Sequence, residues 1–353
     1  MKTILRLLLL GVATVVAQAQ TPIGSSFAPP LGGMTIAVPT GQARHVSIPL
    51  LHSAVGSGAV RGRVDSVGTD FIDVPTAGWP AGGFSSVSNP YFLRLISGGA
   101  AGRLFTVNPT ANTATRIFLN NEGFDLATHG IGVGASGDVY ELVLADTLLS
   151  LFGTTALQGG TGVATADNVQ VWGGASWLVF YFNTTRGRWE RDSDTAGSPS
   201  RDNFVLRPDR GIFINRRAAT DLNFVVTGRV PEVAQRFHHL RPGFSSLSAG
   251  VPVDLTLGTL ALQSTSVGWQ SGSNFATATT NADLIQIWGG ASFLTFYHDS
   301  VSGHWQRADE SAQVNRDSFV VPAGRPLMIR RLTSDSTAAG NVVTLPKPYA
   351  IAR

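Results

Sequence analysis

The chain has 353 residues, 43% hydrophobic and only 14% charged, which excludes disorder as its main state and leaves room for two or three cores. Lys occurs twice, Glu five times and Cys not at all, while 40 Gly and 18 Pro punctuate the sequence. Helix formers are scarce, disulfide and thiol chemistry is excluded, and the 26 basic and 23 acidic side chains form no polybasic block, so an all-β fold without a nucleic-acid partner is expected.

In chain order, Met1, Lys2 and Arg6 precede an apolar run over 7–16 that ends in Ala17-Gln18-Ala19, the pattern of a secretory signal cut after Ala19. The run is too short to span a bilayer. The mature chain is therefore expected to begin at Gln20, to be nearly neutral, and to reach the periplasm, cell surface or medium without membrane insertion. Residues 20–32, rich in Pro, Gly and Ser, read as a flexible leader. Residues 33–145 read as an N-terminal antiparallel β domain, with strands over 60–67, 71–74, 91–96, 104–107, 116–119 and 139–143.

The remainder divides into two related units, 146–230 and 231–353, each a small β-sandwich or barrel, with a short linker helix over 231–240. Ala166-Asp167-Asn168-Val169-Gln170-Val171-Trp172-Gly173-Gly174 is echoed 116 positions later by Ala282-Asp283-Leu284-Ile285-Gln286-Ile287-Trp288-Gly289-Gly290. Phe180-Tyr181, Trp189-Glu190-Arg191 and Arg201-Asp202-Asn203-Phe204 recur as Phe296-Tyr297, Trp305-Gln306-Arg307 and Arg316-Asp317-Ser318-Phe319, and Arg216-Arg217 aligns with Arg330-Arg331. Alternating apolar residues broken by glycine turns predict hairpins in both units, with Trp172 and Trp288 ending equivalent strands as packing residues.

The segment Tyr91-Phe92-Leu93-Arg94-Leu95-Ile96-Ser97-Gly98-Gly99-Ala100-Ala101-Gly102-Arg103, the turn Asn112-Thr113-Ala114-Thr115, Gly137-Asp138 before a strand, Leu151-Phe152-Gly153, and the Trp172-Gly173-Gly174 and Phe180-Tyr181 signature together resemble an uncharacterised family of secreted bacterial β-proteins that occurs as several paralogues. The resemblance covers most of the mature chain. It implies an exported β fold and carries over no catalytic residue.

Local signatures of chemistry are weak. Gly132-Val133-Gly134-Ala135-Ser136-Gly137 has dinucleotide-loop spacing but is followed by a strand pattern, so a glycine-rich turn is expected. His238 and His239 diverge in either a strand or a helix, which disfavours joint chelation. Asp192, Asp194 and Gly197 match part of a calcium loop, yet Asn203 stands where a bidentate Glu is needed. Glu190 with Asp202 is the one carboxylate pair suggestive of glycoside hydrolysis, but Glu190 becomes Gln306 in the second unit, whereas Arg201-Asp202 and Arg316-Asp317 persist as expected charge pairs. No catalytic residue, metal or cofactor is expected.

Aromatic residues carry the strongest binding signal. Leu178 and Phe180, like Leu294 and Phe296, should face the core, leaving Trp177 and Tyr181 in one unit and Phe293 and Tyr297 in the other on the opposite face. Such rings either pack between domains or stack on an external ligand. The expectation is a non-catalytic exported protein for cell-surface or extracellular assembly and attachment, with a surface protein or polysaccharide as partner. The alternative is a glycan-binding module at Trp177, Tyr181, Phe293 and Tyr297, with an extracellular polysaccharide hydrolase less favoured.

Overall fold

The computed structural model describes residues 31–52, 60–122, 125–128, 130–238, 242–248, 250–273, 277–310, 313–332 and 342–349. The expected signal segment, most of the expected leader and His239 lie outside them. The fold is all-β, built from antiparallel sheets with a few one-turn helices.

The chain opens with β1 (Leu31–Val38) and β2 (Ala43–Ser47), so the last two residues assigned to a leader are already in a strand. Next come β3 (Val60–Arg63), β4 (Ser66–Val67), β5 (Phe71–Asp73), β6 (Tyr91–Leu95), β7 (Leu104–Val107), β8 (Arg116–Asn120) and β9 (Val139–Leu144), closely matching the strands expected from alternation. These seven form one sheet in the order β3-β9-β6-β7-β8-β5-β4. The Val64 N–H bonds to Asp138 O and the Asp65 N–H to Asp73 O, so the 60–67 segment touches both edges and curls the sheet around a core of Ile72, Leu93, Leu95, Ile117 and Tyr140.

The chain continues through β10 (Asp146–Thr147), α1 (Leu148–Phe152), β11 (Asn168–Trp172), β12 (Trp177–Asn183), β13 (Arg188–Arg191), β14 (Val205–Leu206), β15 (Gly211–Asn215) and β16 (Leu222–Arg229). Then follow β17 (Gln235–His238), β18 (Gly243–Leu247), β19 (Leu255–Thr256), α2 (Leu257–Leu260), β20 (Leu284–Trp288), β21 (Phe293–His298), β22 (Trp305–Arg307), β23 (Val320–Val321), β24 (Leu327–Arg331) and β25 (Val342–Leu345). Among the described residues 231–238 the expected linker helix over 231–240 is replaced by β17, paired with β25. That pairing joins positions over a hundred residues apart, and local composition carries no trace of it.

The two units share one topology. In the first, a five-stranded sheet runs β13-β12-β11-β15-β2, accompanied by the pairs β1-β16 and β10-β14; in the second, a sheet runs β22-β21-β20-β24-β18, accompanied by β17-β25 and β19-β23. Both carry a one-turn helix started by a capping box, Thr147 with Ser150 and Thr256 with Thr259. Both turn the first hairpin on a glycine of positive φ, Gly174 at 95° and Gly290 at 107°, where a side chain would be strained.

Two corrections to the expected division follow from these pairings. Residues 31–47 join the sheets of the first unit, through β1 with β16 and β2 with β15, rather than the region that follows them. The curled sheet is thus inserted within the first unit, between β2 and β10; the second unit has only a short loop at that place. The register also realigns the arginines: β11 pairs Val169 with Ile214 and β20 pairs Ile285 with Ile329, so Arg216 corresponds to Arg331 rather than to Arg330. The side chains agree, because Arg216 forms an ion pair with buried Asp167, and Arg331 forms one with buried Asp283 at 2.9 Å.

Candidate functional site

Within β12 and β21, alternation divides the aromatic residues as expected at first. Phe180 and Phe296 are buried in the two unit cores, with Leu178 and Leu294 packed beside them. The opposite face splits into two environments.

Trp177 and Phe293 are half-buried and both meet His45 and Phe213 edge-to-face. Ring centroids stand 4.9 Å apart for Trp177 and Phe213, 6.1 Å for Phe213 and Phe293, and 6.0 and 6.1 Å from His45 to Trp177 and Phe293. His45 stacks on Phe213 at 4.4 Å. The cross-strand partners Trp172 and Trp288 complete the cluster, each 5.2 Å from its neighbour Trp177 or Phe293. Large rings from both units therefore meet at a joint between them, where edge-to-face contact favours one relative orientation.

Hydrogen bonds at this joint are reciprocal. The Trp172 indole donates to Phe244 O at 2.8 Å, and the Trp288 indole donates to Ala43 O at 3.2 Å. The Ser47 N–H donates to Gly324 O at 2.8 Å, and the Ser248 N–H to Asp209 O at 3.0 Å. Register matches Phe244 with Ala43, since β18 pairs with β24 as β2 pairs with β15. Each of these four bonds between the units is thus returned between equivalent positions, the arrangement of an isologous two-fold interface. Trp172 and Trp288 do end equivalent strands, but they are half-buried at this joint; the fully buried indoles are Trp189 and Trp305.

His45 and Phe213, which sequence reading passed over, sit at the centre. His45 Nε2 lies 2.9 Å from Ser246 Oγ, which donates to Gly211 O at 3.2 Å, so the imidazole serves as the donor to Ser246. Burial, aided by the Arg325 charge, lowers its pKa to about 3, and the ring stays neutral at physiological pH. Equivalent positions in the second unit are Ser246 and Met328, whose smaller or more pliable side chains leave space for the two rings.

Tyr181 and Tyr297 take another role. Both are buried, with hydroxyls directed at the strand that follows: Tyr181 to Glu190 Oε2 at 3.4 Å and Tyr297 to Gln306 Oε1 at 2.7 Å. In the first unit Asn183 donates to Glu190 at 2.8 Å; in the second Gln306 donates to Asp299 at 3.0 Å. Asn183 and Asp299 are equivalent, so Glu190 and Gln306 mark an exchange of carboxylate and amide across one buried bond. Burial pushes the Glu190 carboxyl up, but bonds from Arg186, Asn183 and Arg188 outweigh it and hold the group below its ordinary value. We expect Glu190→Gln to destabilise the chain and Asn183→Asp to restore much of the loss, with a coupling of about 0.5 to 3 kcal/mol. Urea midpoints of the two single variants and the double variant measure it; strict additivity would refute the exchange.

Of the other acids considered for chemistry, Asp202 and Asp194 are engaged by the fold, and Asp192 is exposed. Asp202 Oδ1 accepts the Trp189 N–H at 2.8 Å, as Asp317 Oδ1 accepts that of Trp305 at 2.8 Å. The expected pairs Arg201-Asp202 and Arg316-Asp317 do not form: Arg201 pairs with Asp194 at 2.7 Å and Arg316 with Glu310. Adjacent residues diverge in an extended chain, whereas the segment after β13 folds Asp194 back onto Arg201 and the segment after β22 brings Glu310 to Arg316. Asp194, a candidate calcium ligand, is thereby held by Arg201 and the Arg191 N–H. The glycine run at 132–137 forms a short 3-10 turn leading into β9.

Arginine and carboxylate side chains also fasten the inserted sheet. Glu141, 1% exposed, meets Arg61 at 3.1 Å, Arg94 at 3.5 Å and Arg229 at 3.3 Å; the last belongs to β16 of the first unit. No family model, no curated protein and no solved structure matches the chain.

Proposed function

We propose that the chain is a non-catalytic, exported β-protein that works in assembly or attachment at the cell surface or outside the cell, and that its two related units descend from a duplication. The observation that carries the reading is the joint itself. Aromatic side chains and reciprocal hydrogen bonds fix the two units face to face, while Glu190, Asp202 and Asp194 are tied to arginine, amide or backbone N–H groups. A fixed frame with its carboxylates engaged suits holding a partner better than turning over a substrate. The signal pattern at 1–19 and the resemblance to secreted bacterial β-proteins support export. Glycan binding is the second reading, favoured by the half-exposed edges of Trp177 and Phe293.

The test uses the mature chain, whose intact mass should begin at Gln20. It should be retained on isolated cell envelopes and release no sugar from a polysaccharide panel. Retention on one polysaccharide that is lost in Trp177→Ala/Phe293→Ala, with the fold kept, would favour the second reading. Steady sugar release abolished by Glu190→Gln would overturn both.

A further inference from the structure

The reciprocal joint creates two related grooves with unequal contents. One lies beside β17 and the turn 207–210, and the inserted sheet fills it. Glu122, presented by a left-handed backbone at φ 54°, stands 3.0 Å from Arg207 and 3.4 Å from Arg210. Arg207 also donates to Leu104 O at 2.9 Å, and the Arg236 N–H donates to Gly102 O at 3.1 Å. Besides Asp209, which pairs with Arg207 at 2.7 Å from within the first unit, a carboxylate and backbone carbonyls of the insert thus enter this groove.

The counterpart groove, about 190 Å³, is bounded by β1, β2 and the turn 322–325. Arg325 is the equivalent of Arg210, and Arg44 stands beside it. No part of the insert lines it. Among the described residues neither arginine forms an ion pair, and the charged neighbour acting on Arg325 is Arg44, a like charge. Among the described residues, Nε of Arg44 is buried without a protein partner. Two guanidinium groups crowded at a joint, one with a buried unsatisfied donor, favour a charge-assisted hydrogen bond to an anion.

We propose that this groove is a carboxylate-binding site and that it takes an acidic turn of a protein partner, as its counterpart takes Glu122. The counterpart favours a protein occupant, because there the carboxylate is presented by a left-handed backbone and comes together with backbone carbonyls. The partner's identity rests on the attachment reading; the carboxylate chemistry does not.

Poly-L-glutamate, titrated into the mature chain at low ionic strength, is the probe. We expect saturable binding that falls about tenfold in Arg44→Gln/Arg325→Gln. Ala323→Glu, which adds a carboxylate at an exposed position lining the groove, should weaken binding similarly while keeping both arginines. Arg63→Gln/Arg217→Gln, which removes two exposed charges elsewhere, should bind like wild type. No binding by wild type, equal binding by the groove variants, or tighter groove-dependent binding of polygalacturonate than of poly-L-glutamate would overturn the proposal. If poly-L-glutamate fails to bind while wild type stays on envelopes, the groove assignment falls and attachment stands. If groove-dependent binding of poly-L-glutamate occurs without envelope retention, attachment falls and the groove stands.

Discussion

Glu141→Gln is expected to destabilise the protein by about 3 to 5 kcal/mol, the usual consequence of removing one partner from a buried charge cluster. The carboxylate is 1% exposed, and Arg94 and Arg229 beside it are 5% and 9% exposed, so the substitution leaves two buried cations facing an amide. Arg229 comes from the first unit, so the same change loosens the insert from its frame. The pH dependence has a definite sign. Burial pushes the Glu141 carboxyl up, but Arg229, Arg94 and Arg61 together hold it below the ordinary value of 4.5. A depressed carboxylate contributes stability above that ordinary value, and the contribution is lost as pH falls through the lower folded-state value. Wild type should therefore lose melting temperature on acidification below about pH 4.5, and Glu141→Gln should show a shallower fall. Parallel profiles for the two proteins would show that Glu141 is not the acid-sensitive group.

Trp189→Ala and Trp305→Ala should each cost about 3 to 5 kcal/mol, since each indole is 1% exposed at the centre of its unit core. Replacement by Phe separates packing from hydrogen bonding. Trp189 donates its indole N–H to Gly153 O at 2.9 Å, whereas the Trp305 indole nitrogen is buried with no partner among the described residues. Trp189→Phe should then be the more costly of the two Phe variants, by about 1 kcal/mol. Denaturant midpoints measure all four; a Trp305→Phe variant less stable than Trp189→Phe would contradict the assigned bond.

The sequence made the paired hairpins legible because Trp, Gly-Gly and Phe-Tyr landmarks stand at nearly constant spacing, and alternation placed Phe180 and Phe296 inside. It concealed β1 and β2 for two reasons. Ala43-Arg44-His45-Val46-Ser47 bears little likeness to Phe244-Ser245-Ser246-Leu247-Ser248, and the insert separates the first pair from the rest of its unit. Charge identity misled at Arg216, where matching arginines by type gave a register one residue short of the one set by strand pairing. The change from Glu190 to Gln306 looked like the loss of an acid because its compensation, Asn183 to Asp299, lies on the neighbouring strand. Trp177 and Phe293 were recognised as special, but the rings they meet, His45 and Phe213, come from distant strands.

The face-to-face joint is tested most directly by hydrogen exchange of the indole N–H protons. The chain has seven Trp, so ¹⁵N-indole spectra assigned by single Trp→Phe variants are tractable. The reciprocal bonds from Trp172 to Phe244 O and from Trp288 to Ala43 O predict that both protons exchange far more slowly than those of free indole, and that Trp172→Phe accelerates exchange at Trp288. Exchange of both protons at the rate of an unprotected indole would show that the units do not meet through this joint.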